Sequence, residues 1–301
     1  MAWVQAARLR TLPLSLSGII TGTALANCQG FFDPYIFALA LLTTIAFQVT
    51  SNFANDYGDG VKGLDGEDRI GPKRALQSGA LGRFTLKRGI VISVVLSLVL
   101  ALWLIYTAFG SDQILYLILF FILGILSIWA AIKYTVGRSP YGYRGLGDLF
   151  VFLFFGLLGV LGGMFLHTKN LDWPSLLPAI GIGLLCVGVL NLNNLRDMDS
   201  DRRHGKITLV VQMGFGPGKI YHSLLIILSL LCFLAYLFVA EMGWESSFFL
   251  LAFVPILVHL AKVLRTSDPG KLDGELKKLS LSTFILSILF YFAMEFFCSF
   301  G

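Results

Sequence analysis

Long stretches of hydrophobic residues recur along the whole chain, and they restrict its fold more than any other feature. We identify nine, at roughly 13–29, 35–55, 89–109, 113–132, 149–167, 174–195, 220–240, 246–261 and 279–299. Each is close to the ~20 residues that an α-helix needs to cross a bilayer. Because 56% of the 301 residues are hydrophobic and only 14% are charged, a soluble globular domain is excluded. The sequence therefore predicts an all-α polytopic membrane protein, with nine transmembrane helices in one bundle and a single domain over residues 1–301.

The distribution of Lys and Arg predicts the orientation of the bundle. If the N-terminus is cytoplasmic, 22 of the 23 Lys and Arg residues fall on the cytoplasmic side, and only Lys169 falls outside. Basic loops of membrane proteins stay on the cytoplasmic side, so we predict a cytoplasmic N-terminus. Two long loops, at about 55–88 and 193–219, then face the cytoplasm. The net charge of +5 suits anionic lipid headgroups or a diphosphate and requires no nucleic acid.

Two clusters of Asn and Asp residues follow hydrophobic stretches at this predicted cytoplasmic face. The first contains Asn55, Asp56, Asp59 and Asp65, and the second contains Asn193, Asp197 and Asp201. Residues four apart lie on one face of a helix. Mg²⁺ binds one or two carboxylates together with water and phosphate oxygens. A single Asp outside a membrane is usually only solvated, but two arrays on separate helices favour a shared metal site for a phosphate-bearing substrate.

Basic and aromatic residues accompany both clusters. They are Arg69, Arg74, Arg202 and Lys206 beside the clusters, and Lys133, Arg138, Tyr141, Tyr143 and Arg144 in the loop after the fourth stretch. Together such cations can neutralise a departing diphosphate, although each also fits a purely topological role. The tyrosines suit stacking on a substrate ring or shielding of a cation, and they equally suit an anchor at the membrane surface.

The four cysteines have none of the CxxC spacing of metal or redox motifs. Cys28 and Cys298 fall at the outer ends of the first and ninth stretches, a placement that would permit a disulfide. We do not expect that disulfide to form, and we expect Cys186 and Cys232 to be small apolar packing residues.

Five segments taken together resemble one family of membrane enzymes. They are residues 55–65, 68–72, 141–148, 193–202 and 205–209, with the sequences NDYGDGVKGLD, DRIGP, YGYRGLGD, NNLRDMDSDR and GKITL. The combination is similar to the UbiA superfamily of intramembrane prenyltransferases, and the similarity runs along nearly the whole chain. Within that superfamily it most resembles the branch that acts on 1,4-dihydroxy-2-naphthoate in menaquinone biosynthesis.

The resemblance implies a reaction and a location. The reaction is Mg²⁺-dependent transfer of a polyprenyl group from polyprenyl diphosphate to 1,4-dihydroxy-2-naphthoate, with loss of diphosphate and CO₂, giving demethylmenaquinone. The implied location is the bacterial cytoplasmic (inner) membrane, where the protein is surrounded by membrane lipid and its active site faces the cytoplasm.

The resemblance also implies residue roles. The family's two motifs correspond to Asn55, Asp59 and Asp65, and to Asn193, Asp197 and Asp201. Many family members have an Asp where this chain has Gly63, which leaves open whether Asp56 or Asp65 completes the first metal site. We expect Asp56, Asp59, Asp65, Asp197 and Asp201 at the metal, and Asp59, Asp197, Lys206 and Arg144 to be catalytic. Substrate contacts are expected from Asn55, Asn193, Arg69, Arg74, Lys133, Arg138, Tyr141, Tyr143 and Arg202.

Two alternatives stay open at the level of the sequence. Another aromatic acceptor, 4-hydroxybenzoate or homogentisate, would use the same acidic motifs. An ion-coupled transporter would also place carboxylates on membrane helices. The position of both clusters at one surface argues against transport, because transport sites usually lie near the midplane of the membrane on broken helices.

Overall fold

The computed structural model describes residues 2–63 and 74–300, and within them the chain forms helices and turns but no strand. The nine long helices of this part of the chain, named α1 to α9 in order, are Leu12–Cys28, Pro34–Val61, Arg83–Phe109, Ile114–Lys133, Gly147–Thr168, Leu176–Arg196, Phe215–Val239, Trp244–Arg265 and Asp273–Phe300. They follow the nine predicted stretches in order and approximate position.

Eight of these helices, α2 to α9, are long and apolar enough to cross a membrane. The remaining helix, α1, has 17 residues, or about 26 Å at 1.5 Å per residue, against a hydrocarbon core of about 30 Å. The all-α membrane architecture is therefore confirmed. The count of nine spans and the cytoplasmic N-terminus stay predictions.

The loops after α2, α4, α6 and α8 meet at one end of the bundle. The hydroxyl of Tyr143, between α4 and α5, donates to Asp59 near the end of α2. The amide of Ile207, between α6 and α7, donates to the carbonyl of Tyr143 at 3.1 Å. Arg196, at the end of α6, donates to Asp273 at the start of α9. The two acidic clusters therefore lie at the same end, as the predicted topology requires.

Lys169, the one Lys or Arg predicted to lie on the outer side of the membrane, is at the opposite end of the bundle. Nζ of Lys169 donates to the carbonyls of Leu166 and His167 at 3.0 and 3.1 Å. These carbonyls belong to the last turn of α5, where the helix has no partners of its own for them. Lys169 therefore caps the C-terminal end of α5.

Cys28 and Cys298 form a disulfide at that same end, with their Cα atoms 5.3 Å apart. The expectation that they would not pair was therefore wrong. The two cysteines are 270 residues apart in the sequence. They come together because α1 packs closely along α9. Cys186 and Cys232 are free, and Cys186 is buried, which agrees with the packing role predicted for it.

Glycines allow α5 to pack at backbone distance against two neighbours. A Cβ on Gly22 of α1 would collide with backbone atoms of Val160 and Met164, and a Cβ on Gly156 would lie 2.5 Å from the Cα of Gly183 on α6. Small residues at such crossings are typical of membrane helices. The same part of α5, Phe152–Gly162, is a π-helix, a departure from regular helix that the hydrophobic pattern does not reveal.

Candidate active site

The first acidic motif occupies the last turns of α2, which extends to Val61, beyond the predicted end at 55. Asp59 is 2% exposed and forms an ion pair with Arg74. The hydroxyl of Tyr143 donates to its other oxygen at 2.7 Å. Arg74 also donates to the carbonyl of Asn55 at 2.9 Å. Asp59 is therefore held by residues from two separate loops.

Asp56 has a different environment, although it is only three residues away. Its two carboxylate oxygens accept the backbone N–H groups of Ala75 and Leu76 at 3.1 and 3.3 Å. Asp56 does not line either cavity described below. Its position favours a structural role for Asp56 rather than the predicted role as a metal ligand. The other candidate, Asp65, lies outside the described residues, as does Arg69.

The second motif lies where α6 ends. Asp197 follows the last residue of α6, and a short helix, Met198–Arg203, begins after it. The backbone hydrogen bond from Asp201 to Asp197, 2.8 Å long, keeps the two carboxylates one turn apart. Asp201 is 2% exposed, and its Oδ1 accepts from Nζ of Lys206 at 3.3 Å. Its Oδ2 is buried without a hydrogen-bond partner among the described residues.

The two motifs face each other across a small polar pocket. It is lined by Asp59, Arg74, Asn193, Asp197, Ser200, Asp201 and Lys206. Four of these, Asp59, Arg74, Asn193 and Lys206, also line a much larger cavity of about 560 Å³. The walls of the larger cavity are mostly apolar, from residues such as Leu104, Phe120 and Leu158. The polar pocket is therefore continuous with an apolar chamber inside the bundle.

Burial and charge determine the protonation of the groups around the pocket. Burial opposes the charge of Lys206, but the carboxylates of Asp201, Asp59 and Asp197 outweigh it and raise the pKa of Lys206. Burial, together with the charge of Asp59, raises the pKa of Tyr143. Burial also raises the pKa of Asp201, against the opposing effect of Lys206. Lys206 therefore stays cationic, and Tyr143 stays a hydrogen-bond donor.

The donor set of the pocket fits a hard divalent cation that is shared with a ligand. Carboxylate and amide oxygens converge there, and Oδ2 of Asp201 has no partner in the described part of the chain. Among the described residues, no three acidic, His or Cys side chains form a complete metal site of their own. Mg²⁺ does not need such a cage, because it takes water and phosphate oxygens as further ligands.

The remaining predicted residues divide into two groups. Tyr141 lines the larger cavity, where it donates to the carbonyl of Ala130 at 2.8 Å and stacks on Phe150 at 3.9 Å. Four cations are exposed and line neither cavity, namely Lys133, Arg138, Arg144 and Arg202. The structure does not bring these four to the pocket, which favours the topological role that the sequence left open for them.

Sequence reasoning missed several residues that line the larger cavity. They include Tyr134, Arg196, Asp273, Lys277, and Arg8 and Arg10 near the N-terminus. Burial raises the pKa of Tyr134 to about 12. Arg196 carried a usable signal, because it is a charged residue between an apolar run and a motif Asp. Nothing in the sequence pointed to Asp273, because it lies 77 residues away from its partner Arg196.

The model of a family described as "UbiA prenyltransferase family" matches residues 15–292. The chain belongs to the UbiA prenyltransferase family. The resemblance found in the motifs is thereby confirmed.

Two relatives of this UbiA family member are similar along nearly their full length. A 1,4-dihydroxy-2-naphthoate octaprenyltransferase of Haemophilus influenzae is 46% identical over 291 residues, covering 96% of this chain and 94% of the relative. One of Escherichia coli is 45% identical, covering 96% and 93%. A solved UbiA homolog from Archaeoglobus fulgidus, bound to DMAPP and Mg²⁺, shares the fold, with a TM-score of 0.66 at 15% identity over 100% of both chains.

Proposed function

We propose that this protein transfers a polyprenyl group from polyprenyl diphosphate to 1,4-dihydroxy-2-naphthoate, with Mg²⁺ as the cofactor. The allylic C–O bond to diphosphate breaks, and a C–C bond to the naphthoate ring forms. The ring carboxylate leaves as CO₂, and its bonding electron pair stays with the ring. The immediate product is a prenylated naphthohydroquinone, which air oxidises to demethylmenaquinone.

The observation that carries the proposal is the meeting of two acidic motifs at the mouth of an apolar chamber. The polar pocket contains carboxylates from both motifs together with the cations Arg74 and Lys206. Such a pocket suits a charged diphosphate, and the adjoining chamber of about 560 Å³ suits an isoprenoid chain and an aromatic ring. The names of the curated relatives support naphthoate as the acceptor.

Charged residues of the pocket would hold the diphosphate. Arg74 and Lys206 provide hydrogen-bond donors of fixed charge where negative charge grows as the C–O bond breaks. Asp59, Asp197, Asp201 and Asn193 would hold Mg²⁺, which supplies further positive charge to the diphosphate when bound. Tyr143 fixes the carboxylate of Asp59 through its hydroxyl.

The apolar chamber would protect the reactive carbon. An allylic group that has lost its diphosphate reacts readily with water, so a site that excludes water prevents that side reaction. Phe150 and Tyr141, which stack on each other, line the chamber. We place this site on the cytoplasmic side of the bacterial inner membrane, because the basic loops surround it.

The test is an assay with the purified protein in detergent, Mg²⁺, octaprenyl diphosphate and naphthoate labelled with ¹³C in its carboxylate. We expect mass spectrometry to detect demethylmenaquinone and labelled CO₂ in equal amounts. Chelation by EDTA should abolish both products, and added Mg²⁺ should restore them.

Parallel reactions with 4-hydroxybenzoate and homogentisate test the acceptor. Product with one of these, but none with naphthoate, would overturn the acceptor and leave prenyl transfer intact. Turnover that persists in EDTA would contradict the role of Mg²⁺.

A further inference from the structure

Arg196, at the last position of α6, donates hydrogen bonds both to the second acidic motif and to the start of α9. It is 4% exposed. Its Nε and Nη2 donate to the two oxygens of Asp197 at 2.8 and 2.7 Å. Nη2 also donates to Oδ1 of Asn193 at 2.9 Å, and Nη1 donates to Oδ1 of Asp273 at 2.6 Å. One guanidinium thus contacts two motif residues and one residue outside both motifs.

The geometry couples Arg196 to the cation that the proposed function requires. Both carboxylate oxygens of Asp197 face the guanidinium fork, so the fork fixes the plane of the carboxylate. A cation at the pocket must share these oxygens with Arg196. How strongly Arg196 holds Asp197 therefore affects how well Asp197 can bind a cation.

We propose that Asp273 is a positioning residue that acts through Arg196 to keep Asp197 available to the cation. Asp273 neutralises and anchors the outer nitrogen of the guanidinium. Without this second carboxylate, the full charge of Arg196 is directed at Asp197, where it competes with the cation and repels it. Residues that orient metal ligands through such contacts typically change metal affinity by about 10–100-fold when they are replaced. The inference rests on the proposed function.

The position of Asp273 makes it suitable for this test. Its side chain is 43% exposed, so its replacement leaves no buried cavity. It is the first residue of α9, and the loop before it contains a second acid, Asp268, which accepts the N–H of Gly270 at 2.9 Å. Asp268 lines neither cavity. The Asp268→Asn variant is therefore a matched control for loss of an acid near the start of α9.

The experiment measures Mg²⁺ binding without turnover. Thermal unfolding of the full-length protein in detergent is followed across a Mg²⁺ titration in the presence of inorganic diphosphate. We expect Asp273→Asn to raise the Mg²⁺ concentration at the midpoint of stabilisation by about 10–100-fold. Asp273→Glu should recover part of this shift, and Asp268→Asn should match the unmodified protein.

Two further variants test whether the effect passes through the guanidinium. Arg196→Lys keeps the charge but loses the fork, and with it the bidentate hold on Asp197 through which Asp273 acts. The double variant Arg196→Lys/Asp273→Asn should show no further shift, because both changes act on one contact. In the transfer assay, Asp273→Asn should lose activity at low Mg²⁺ and regain most of it at high Mg²⁺.

An unchanged Mg²⁺ midpoint in Asp273→Asn, or an equal shift in Asp268→Asn, would overturn the inference while the unmodified protein still responds to Mg²⁺. Additive shifts in the double variant would also overturn it. If the unmodified protein shows no response to Mg²⁺ with diphosphate, the proposed function fails, and the inference fails with it.

Discussion

At the scale of single residues, Asp59 and Asp56 differ in their contacts although both are buried on α2. Asp59 lines the polar pocket, whereas Asp56 bonds only to backbone amides in the contacts described above. We expect Asp59→Asn to lower the transfer rate by about 10²–10³-fold, the usual effect of removing one electrostatic contact to a reacting group. The unfolding temperature in detergent should fall as well, because the amide no longer balances the charge of the buried Arg74, so the rate is measured on the folded fraction.

The matched variant Asp56→Asn should differ from Asp59→Asn in keeping its transfer rate. It weakens the acceptor for the N–H groups of Ala75 and Leu76, so it should lower the unfolding temperature, while the folded fraction stays active. A loss of activity in folded Asp56→Asn equal to that of Asp59→Asn would mean that Asp56 is a metal ligand after all.

Lys206 and Arg144 were both expected to be catalytic, and the structure separates them. Lys206 is buried among the acids of the pocket, while Arg144 is exposed outside both cavities. We therefore expect Lys206→Gln to reduce transfer by about 10²-fold and Arg144→Gln to keep nearly the full rate. Steady-state kinetics on folded protein, with circular dichroism as a check on Lys206→Gln, measures the difference. Equal losses in the two variants would place Arg144 at the substrate.

The sequence could identify acids of the site, but it could not separate the cations that line the pocket from those that do not. Asp59 and Asp197 are conspicuous because each belongs to an array of Asn and Asp residues spaced four apart beside a hydrophobic stretch. The basic residues have a second reason to occur in the same loops, namely topology. Only the folded chain shows that Arg74 and Lys206 enter the pocket and that Arg138 and Arg202 do not.

At the scale of helices, hydrophobic length predicted the elements well because the bilayer fixes it. Local departures from regular α-helix were not predicted. The π-helix in α5 and the 3₁₀ turns Trp244–Ala252 that open α8 depend on contacts with neighbouring helices. The glycines of α1, α5 and α6 are visible in the sequence, but which helices they bring together is not.

Close packing of α1 on α5 gives a prediction at this scale. Gly22→Ala places a methyl group against the backbone of Val160 and Met164, which cannot move aside as a side chain can. We expect a loss of ~1–3 kcal/mol in the free energy of unfolding, as for overpacked cores. Gly216→Ala, in the first turn of α7, meets no atom within 4 Å and is the control. Equal thermal stability of the two variants in detergent would contradict this packing.

At the scale of the whole molecule, one end of the bundle carries the polar pocket and the other carries the disulfide. Disulfides persist in oxidising compartments and are rare in the cytoplasm. The pair Cys28–Cys298 therefore favours an orientation with its end of the bundle away from the cytoplasm. The distribution of Lys and Arg predicts the same orientation from an independent property of the chain.

This agreement predicts how the cysteines react in a cell. In intact spheroplasts, a reductant followed by a membrane-impermeant maleimide applied from outside should label Cys28 and Cys298. Without the reductant neither should be labelled, and mobility on a non-reducing gel should differ from that of the Cys28→Ser/Cys298→Ser variant. Cys186 is buried, and Cys186→Ala/Cys232→Ala removes both free thiols from the background. Labelling that requires disruption of the membrane would reverse the predicted orientation and place the acidic motifs outside the cell, away from a cytoplasmic supply of diphosphate substrate.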